Sequence, residues 1–233
     1  MNTQSIERIK DTDIKYKVSV SVLEKFRRFQ TGATEYDTEQ ALLDTIMGKF
    51  VPNDKVKFGS AIHKIIERFN REAYNGEMYV DDFILSSEQY RQALEYRKQH
   101  PLMIHEVPIS KVYQTRDLQL LVTGRADGIE GVEIRDIKAK FSLPLWSEYY
   151  VSYQWRFYLS MFGLDTFWYD IFEVRDFPPA IINGRAIGAY VLEPESFQCL
   201  RYDALEDDVL TLCNDFAEFM IRKNYLNLLT KIK

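Results

Sequence analysis

The feature that most limits the fold is a change of hydrophobic period near Pro101. Upstream, apolar residues recur every three and four positions. Downstream come three β-branched, apolar runs, IHEVPISKVY, LQLLVTGRADGI and VEIRDIKAKF. The first pattern predicts amphipathic helices; the second predicts strands. Turn signals at Thr115–Asp117 and at Glu130-Gly131 divide the strand runs into a three-stranded meander. A half-buried meander needs other layers over it, and the flanking helical stripes can supply them.

Upstream, Ser21 to Glu24 has the form of a capping box opening a short helix through Phe29, which ends near Gly32. Asp37 to Gln40 opens a second helix to about Lys49. After Pro52 a third, FGSAIHKIIERFNREAY, carries a stripe of Ile62, Ile65, Ile66, Phe69 and Ala73. Ser86 to Gln89 caps a fourth, which ends before Pro101. Downstream of the meander, LWSEYYVSYQWRFYLSMFG predicts one helix from about Leu145 to Phe162. FWYDIFEV and IGAYVLEP predict two strands around the loop DFPPAIINGR. A long helix follows from Asp203 to about Leu229, with Leu210, Cys213, Phe216, Ala217, Met220 and Ile221 on one stripe. The expectation is an α/β fold in which a mixed β-sheet is flanked by helices. A single domain would span residues 1–233, with a mainly helical front end over 1–101 and a sheet core with flanking helices over 102–233.

The formal net charge of −5 argues against a chain that coats polyanions non-specifically, though a basic groove is compatible with an acidic surface. Fifteen tyrosines, fifteen phenylalanines and three tryptophans exceed what base stacking needs, so most belong to the core. Cys199 and Cys213 cannot form an all-thiolate zinc site or a four-thiolate iron–sulfur cluster. No run is apolar and long enough to cross a bilayer, and the start, MNTQSIERIKDTDIKYK, lacks the apolar segment of a signal peptide. A cytoplasmic protein with reduced thiols is expected.

The hairpin VTGRADGIEGVEIRDIKAK poses the functional question. With Glu130-Gly131 as a two-residue turn, Asp127 pairs with Ile134. Strand parity then puts Asp127, Ile134, Asp136 and Lys138 on one face, with the two aspartates as diagonal neighbours. Carboxylates that close repel, and a shared proton, a lysine or a divalent cation can relieve the repulsion. Mg2+ and Mn2+ suit oxygen donors. The alternatives are a solvated face, a structural ion pair or a metal site, and the hairpin alone leaves them open.

Motifs within the hairpin and elsewhere in the chain bear on that choice. Gly59-Ser-Ala-Ile-His63-Lys-Ile-Ile-Glu67 resembles the G-x-x-x-H-x-x-x-E helix of RecB-like nucleases of the PD-(D/E)XK superfamily. Gly124-Arg-Ala-Asp127 resembles their G-x-x-D strand, Asp136-Ile-Lys138 their D-x-K motif, and Gln154-Trp-Arg-Phe-Tyr158 their Q-x-x-x-Y helix. SVSVLEKFRRF, from Ser19, is similar to the family's opening segment, and the motifs occur in the family's order. The resemblance implies a restriction-endonuclease-like fold and metal-dependent hydrolysis of DNA phosphodiesters, often exonucleolytic, in repair, recombination or mobile-element processing. It implies His63, Asp127, Asp136 and the Ile137 carbonyl as ligands of Mg2+ or Mn2+. Lys138 would position or activate water, and Gln154 and Tyr158 would stand beside the site. Lys140 and Arg156 are the candidate phosphate contacts. Glu67 and Glu106 can face the site or face water. The iron–sulfur cluster of some relatives has no cysteines here to hold it. No phosphate-binding loop GxxxxGK[ST] is present, so a helicase or recombination partner would have to be a separate chain. The competing classes are a non-catalytic nucleic-acid-binding or scaffold subunit that keeps this fold, and a sequence-specific endonuclease of the same superfamily.

Overall fold

The computed structural model describes residues 15–67, 73–74, 76–80, 83–143, 145–183 and 185–232. It is a mixed α/β structure whose chain divides into two compact units. One comprises residues 1–48, 110–123 and 206–233, the other residues 49–109 and 124–205. No helix among the described residues is long and apolar enough to cross a membrane.

In the first unit, β1 (Lys15–Ser19) runs parallel to the first part of β6 (Gln119–Glu130), from Lys15 opposite Gln119 to Ser19 opposite Thr123. On its other edge β1 pairs antiparallel with β13 (Thr230–Ile232). Three helices accompany these strands: α1 (Val20–Thr31), α2 (Glu39–Ile46) and α7 (Leu205–Arg222). Phe26 of α1 packs edge-on against Phe216 of α7 at 5.3 Å, and Leu23, Leu42, Val122 and Met220 of the same unit are fully buried. The helix starts differ by a residue or two from those expected. Ser19, not Ser21, caps α1 by accepting from the Val22 N–H, and Thr38, not Asp37, caps α2. Asp37 is drawn away from the cap by Lys25 and Arg28. Gly32 ends α1 with a φ of 57°, as expected of a left-handed cap.

In the second unit, β7 (Glu133–Lys140) lies between β6 and β8 (Thr166–Arg175). It is antiparallel to β6 and parallel to β8. Beyond it, β11 (Tyr190–Val191) and β12 (Glu195–Leu200) both pair antiparallel with β8, and β5 (Ile104–Gln114) pairs with β6. Helices α3 (Asp54–Glu67) and α4 (Ser87–Gln99) cover one face. Their Phe58, Ile62, Ile66 and Tyr96 join Ile137, Phe172 and Val174 in one buried cluster. Helix α6 (Gln154–Phe162) covers the other face, where Tyr158 stacks on Phe167 at 6.2 Å. Alternation along each strand sorts the residues: Ile137 and Ala139 point to α3, Asp136 and Lys138 to the α6 side. The capping box expected at Ser86 and Gln89 is present.

Several elements depart from the sequence reading. The third helix is described as far as Glu67. Phe69 of its expected stripe lies outside the described residues, and Ala73 belongs to a small antiparallel sheet of β2 (Ala73–Tyr74), β3 (Glu77–Val80) and β4 (Phe83–Ser86). The helix expected over 145–162 is two, α5 (Trp146–Tyr150) and α6. The Ser152 hydroxyl takes the Gln154 N–H between them, a local bond that competes with continuing the helix. IGAYVLEP holds β11 and part of β10 (Arg185–Ile187), which pairs with β9 (Ala180–Ile182). The last helix ends at Arg222, before Asn224 turns into the left-handed region. Strands β1, β12 and β13 lack the long β-branched runs that marked the meander.

The hairpin turn lies one residue later than expected. Glu130 pairs with Glu133, so Gly131 and Val132 are the turn residues. Gly131 has a φ of +61° and Val132 is not in the positive region, the arrangement of a type II′ turn with glycine first. Parity survives this shift, because each strand slides by one residue. Continuing the register from Gly128 opposite Arg135 sets Asp127 directly opposite Asp136, rather than diagonal to it.

Candidate active site

Where β6 and β7 cease to pair, side chains replace the ladder. The paired positions end at Gly128 and Arg135. Immediately beyond, the Ile137 N–H donates to Asp127 Oδ2 at 2.8 Å, a side-chain bond in place of a backbone one. Two residues further along β6, the Tyr158 hydroxyl donates to the Arg125 carbonyl (2.8 Å) and accepts from the Arg125 N–H (3.2 Å). This close approach requires glycine at 124, where a Cβ would lie 2.8 Å from the Tyr158 ring. The splayed strands leave room around the aspartates, and α3 and α6 each supply a side chain there.

His63 comes from α3, one turn after Gly59. At Gly59 the helix lies so near β7 that a Cβ would be 3.4 Å from that of Ala139. The approach brings His63 Nδ1 to 3.7 Å from Asp127 Oδ2. Gln154, at the start of α6, donates from Nε2 to Asp136 Oδ1 at 2.7 Å. The Lys138 ammonium forms an ion pair with Asp136 Oδ2. That oxygen is buried and accepts no well-directed hydrogen bond.

The electrostatics follow from burial. Asp136 is 3% exposed. Burial pushes its carboxyl up to about 6, Lys138 opposes the shift, and Asp127 adds repulsion. Burial also raises Asp127, against Lys138 and the Ile137 N–H. Burial lowers His63 to about 4, and the nearby Lys138 ammonium lowers it further. Burial disfavours the charge on Lys138, but the two aspartates override that and hold it above the ordinary lysine range. Lys138 is therefore an ammonium that donates, set between two carboxyls.

A cavity of about 650 Å3 opens onto this cluster. Its wall includes His63, Ile137 and Lys138, with Lys55, Lys64 and Arg125 as further cations and Glu67 and Glu106 as acids. Gln154 and Tyr158 share one face of α6 and both reach the site, as the Q-x-x-x-Y spacing suggests. Arg156, two residues from each, points away from them. Its guanidinium bonds Tyr202 Oη and the Val151 and Ser152 carbonyls and stacks near Tyr153 and Trp155, so it is not brought to the site. Lys140 pairs with Glu148 at 2.9 Å beside the Tyr149 ring. The sequence reading passed over Arg125. Its signal was parity: it stands two positions before Asp127 and so on the same face.

Among the described residues, no three His, Cys, Asp or Glu side chains converge as a finished set of metal donors. The donor types nonetheless suit a divalent cation. An imidazole and a carboxylate stand 3.7 Å apart, a second carboxylate oxygen is buried with the Lys138 ammonium as its partner, and both carboxyls are raised by burial.

No family model matches the chain, and no curated protein does. Among solved structures, it is similar to a candidate exonuclease from Eubacterium rectale, with a TM-score of 0.49 and 14% identity over 94% of this chain and 84% of that one. It is similar to the protein SSO0001, with a TM-score of 0.48 and 14% identity over 88% and 77% of the two chains. A third is LHK-Exo in complex with dAMP, with a TM-score of 0.45 and 14% identity over 90% and 91%. All three scores fall below 0.5, so the functional reading rests on the residues and geometry of this chain.

Proposed function

We propose that the protein is a metal-dependent nuclease that hydrolyses phosphodiester bonds in DNA. The observation that carries this reading is the meeting of His63, Asp127, Asp136 and Lys138 where β6 and β7 part, with His63 and Lys138 in the wall of one cavity. A structural ion pair would need neither the histidine nor a second carboxyl. Asp127, Asp136, His63 and the Ile137 carbonyl would hold Mg2+ or Mn2+. Such an ion supplies a bound water of lowered pKa and neutralises charge on the phosphodiester.

The chain's own residues do the remaining work. The Lys138 ammonium holds a water or a phosphate oxygen by charge-assisted hydrogen bonds. Gln154 fixes the Asp136 carboxylate through Oδ1, and Oδ2 faces the Lys138 ammonium. Tyr158 clamps the β6 backbone, which sets the position of Asp127. Lys140, near the cavity on β7, is placed to meet a flanking phosphate once it leaves Glu148. The resemblance of the four motifs to RecB-like nucleases supports cleavage from a strand end.

The test is incubation with linear and circular, single- and double-stranded DNA, in Mn2+, Mg2+ or EDTA. Cleavage should require the cation and favour linear substrates. Lys138→Ala should cut about 10²–10³-fold more slowly, the usual cost of removing one group that stabilises developing charge. A wild-type protein that binds DNA but cuts none of it would make the chain a non-catalytic binding subunit instead.

A further inference from the structure

We infer that Arg125 grips the phosphate next to the scissile one, and that Glu106 is a positioning residue that aims it. This rests on the nuclease reading for the identity of the reacting phosphate. Three observations on the described residues carry it.

The first is that the main chain at Arg125 is fixed while its side chain stays largely exposed. Both its N–H and its carbonyl are taken by the buried Tyr158 hydroxyl. Its side chain is 66% exposed and lines the cavity. A guanidinium on an anchored backbone is suited to an ordered anion, because little main-chain freedom remains to be lost on binding.

The second is Glu106. Its carboxylate meets Arg125 Nη1 at 2.9 Å, and it lines the same cavity. It holds a φ of +55° within β5, a left-handed conformation uncommon for a residue other than glycine. Strained backbone of this kind gathers at ligand sites, where surrounding structure maintains it. From this position the glutamate pairs with Arg125. One nitrogen of the fork is thereby held, and other donors of the guanidinium can face a phosphate in bidentate fashion.

The third is distance. Arg125 and Asp127 lie two residues apart on one strand face, about 6.7 Å along β6. That is comparable to the separation of successive phosphates on a nucleic-acid strand. A phosphodiester held at Asp127 therefore brings its neighbour to Arg125.

Binding of a fluorescent single-stranded oligonucleotide, measured by anisotropy across a salt series in EDTA, tests this without requiring cleavage. Arg125→Ala should bind about tenfold more weakly and reduce the slope of log K against log[salt] by about 0.7, the loss of one phosphate contact on a single strand. Arg125→Lys should restore the slope but only part of the affinity. Glu106→Gln should leave the slope intact, while in Mn2+ it raises KM more than it lowers kcat. The exposed Arg91 on α4 is the control, and Arg91→Ala should leave the slope unchanged. The inference is overturned if Arg125→Ala keeps the wild-type slope, or if Arg91→Ala loses as much. If the slope falls as expected but no variant or wild type cuts DNA, Arg125 stands as a phosphate contact and the nuclease reading falls.

Discussion

Replacing Gly124 with alanine tests the clamp on which the site is built. The new Cβ would lie 2.8 Å from Tyr158 Cε1, 3.3 Å from Cζ and 3.2 Å from Oη. Ordinary contact begins near 3.4 Å, so ring or strand must move by about 0.6 Å, the difference between 3.4 and 2.8. The ring cannot swing freely, because Tyr158 is buried and stacked on Phe162 and Phe167. Overpacking of this kind costs about 1–3 kcal/mol. The movement also stretches the two hydroxyl bonds to the Arg125 backbone, each worth about 1 kcal/mol. Alanine recovers about 0.4–1 kcal/mol through the unfolded chain. The net expectation is a loss of about 2–4 kcal/mol, read by urea unfolding at pH 7.5. Gly124→Ala with Tyr158→Leu should cost less than the two single losses added, because the clash is gone. A Gly124→Ala protein within 0.5 kcal/mol of wild type would refute the clamp.

Three further predictions concern charge. Mn2+ should raise the wild-type melting temperature and EDTA should reverse the gain, whereas Asp127→Asn should show little or no shift, measured by thermal denaturation. His63 sits at about 4 in the fold against an ordinary 6.5. The unfolded chain binds more protons between those values, so His63 makes stability rise with pH across that window. Asp136, raised from 3.8 to about 6, makes it fall over nearly the same window, and the two offset each other. His63→Gln removes the rising part: compared with wild type, its melting temperature should decline from pH 4 to 6.5, and parallel curves would contradict this. In the first unit, Asp37 accepts from Lys25, Arg28 and Thr34. Burial favours its neutral form, but Arg28, Lys25 and Thr34 override that and hold the carboxyl well below its usual range. Asp37→Asn should cost about 2–4 kcal/mol at pH 7, and the difference should shrink as pH falls below about 4, followed by urea unfolding across pH.

The sequence by itself determined the fold class and the face of the hairpin. Side chains alternate along a strand whatever surrounds it, so Asp127, Asp136 and Lys138 had to share a face once the hairpin parity was set. Helical spacing likewise put Gln154 and Tyr158 together. The exact turn was not legible, because Glu130-Gly131 and Gly131-Val132 are both plausible two-residue turns and differ only in where glycine's positive φ falls. Nor were β12 and β13, short strands whose identity depends on the neighbours they pair with. Tertiary structure alone decided that His63, 64 residues before Asp127, comes within 3.7 Å of it, because the approach depends on α3 packing against β7 at Gly59. It alone decided that Arg156 is spent on Tyr202 and two carbonyls while Arg125 lines the cavity. Periodicity records which face a residue takes; only packing determines which partners wait there.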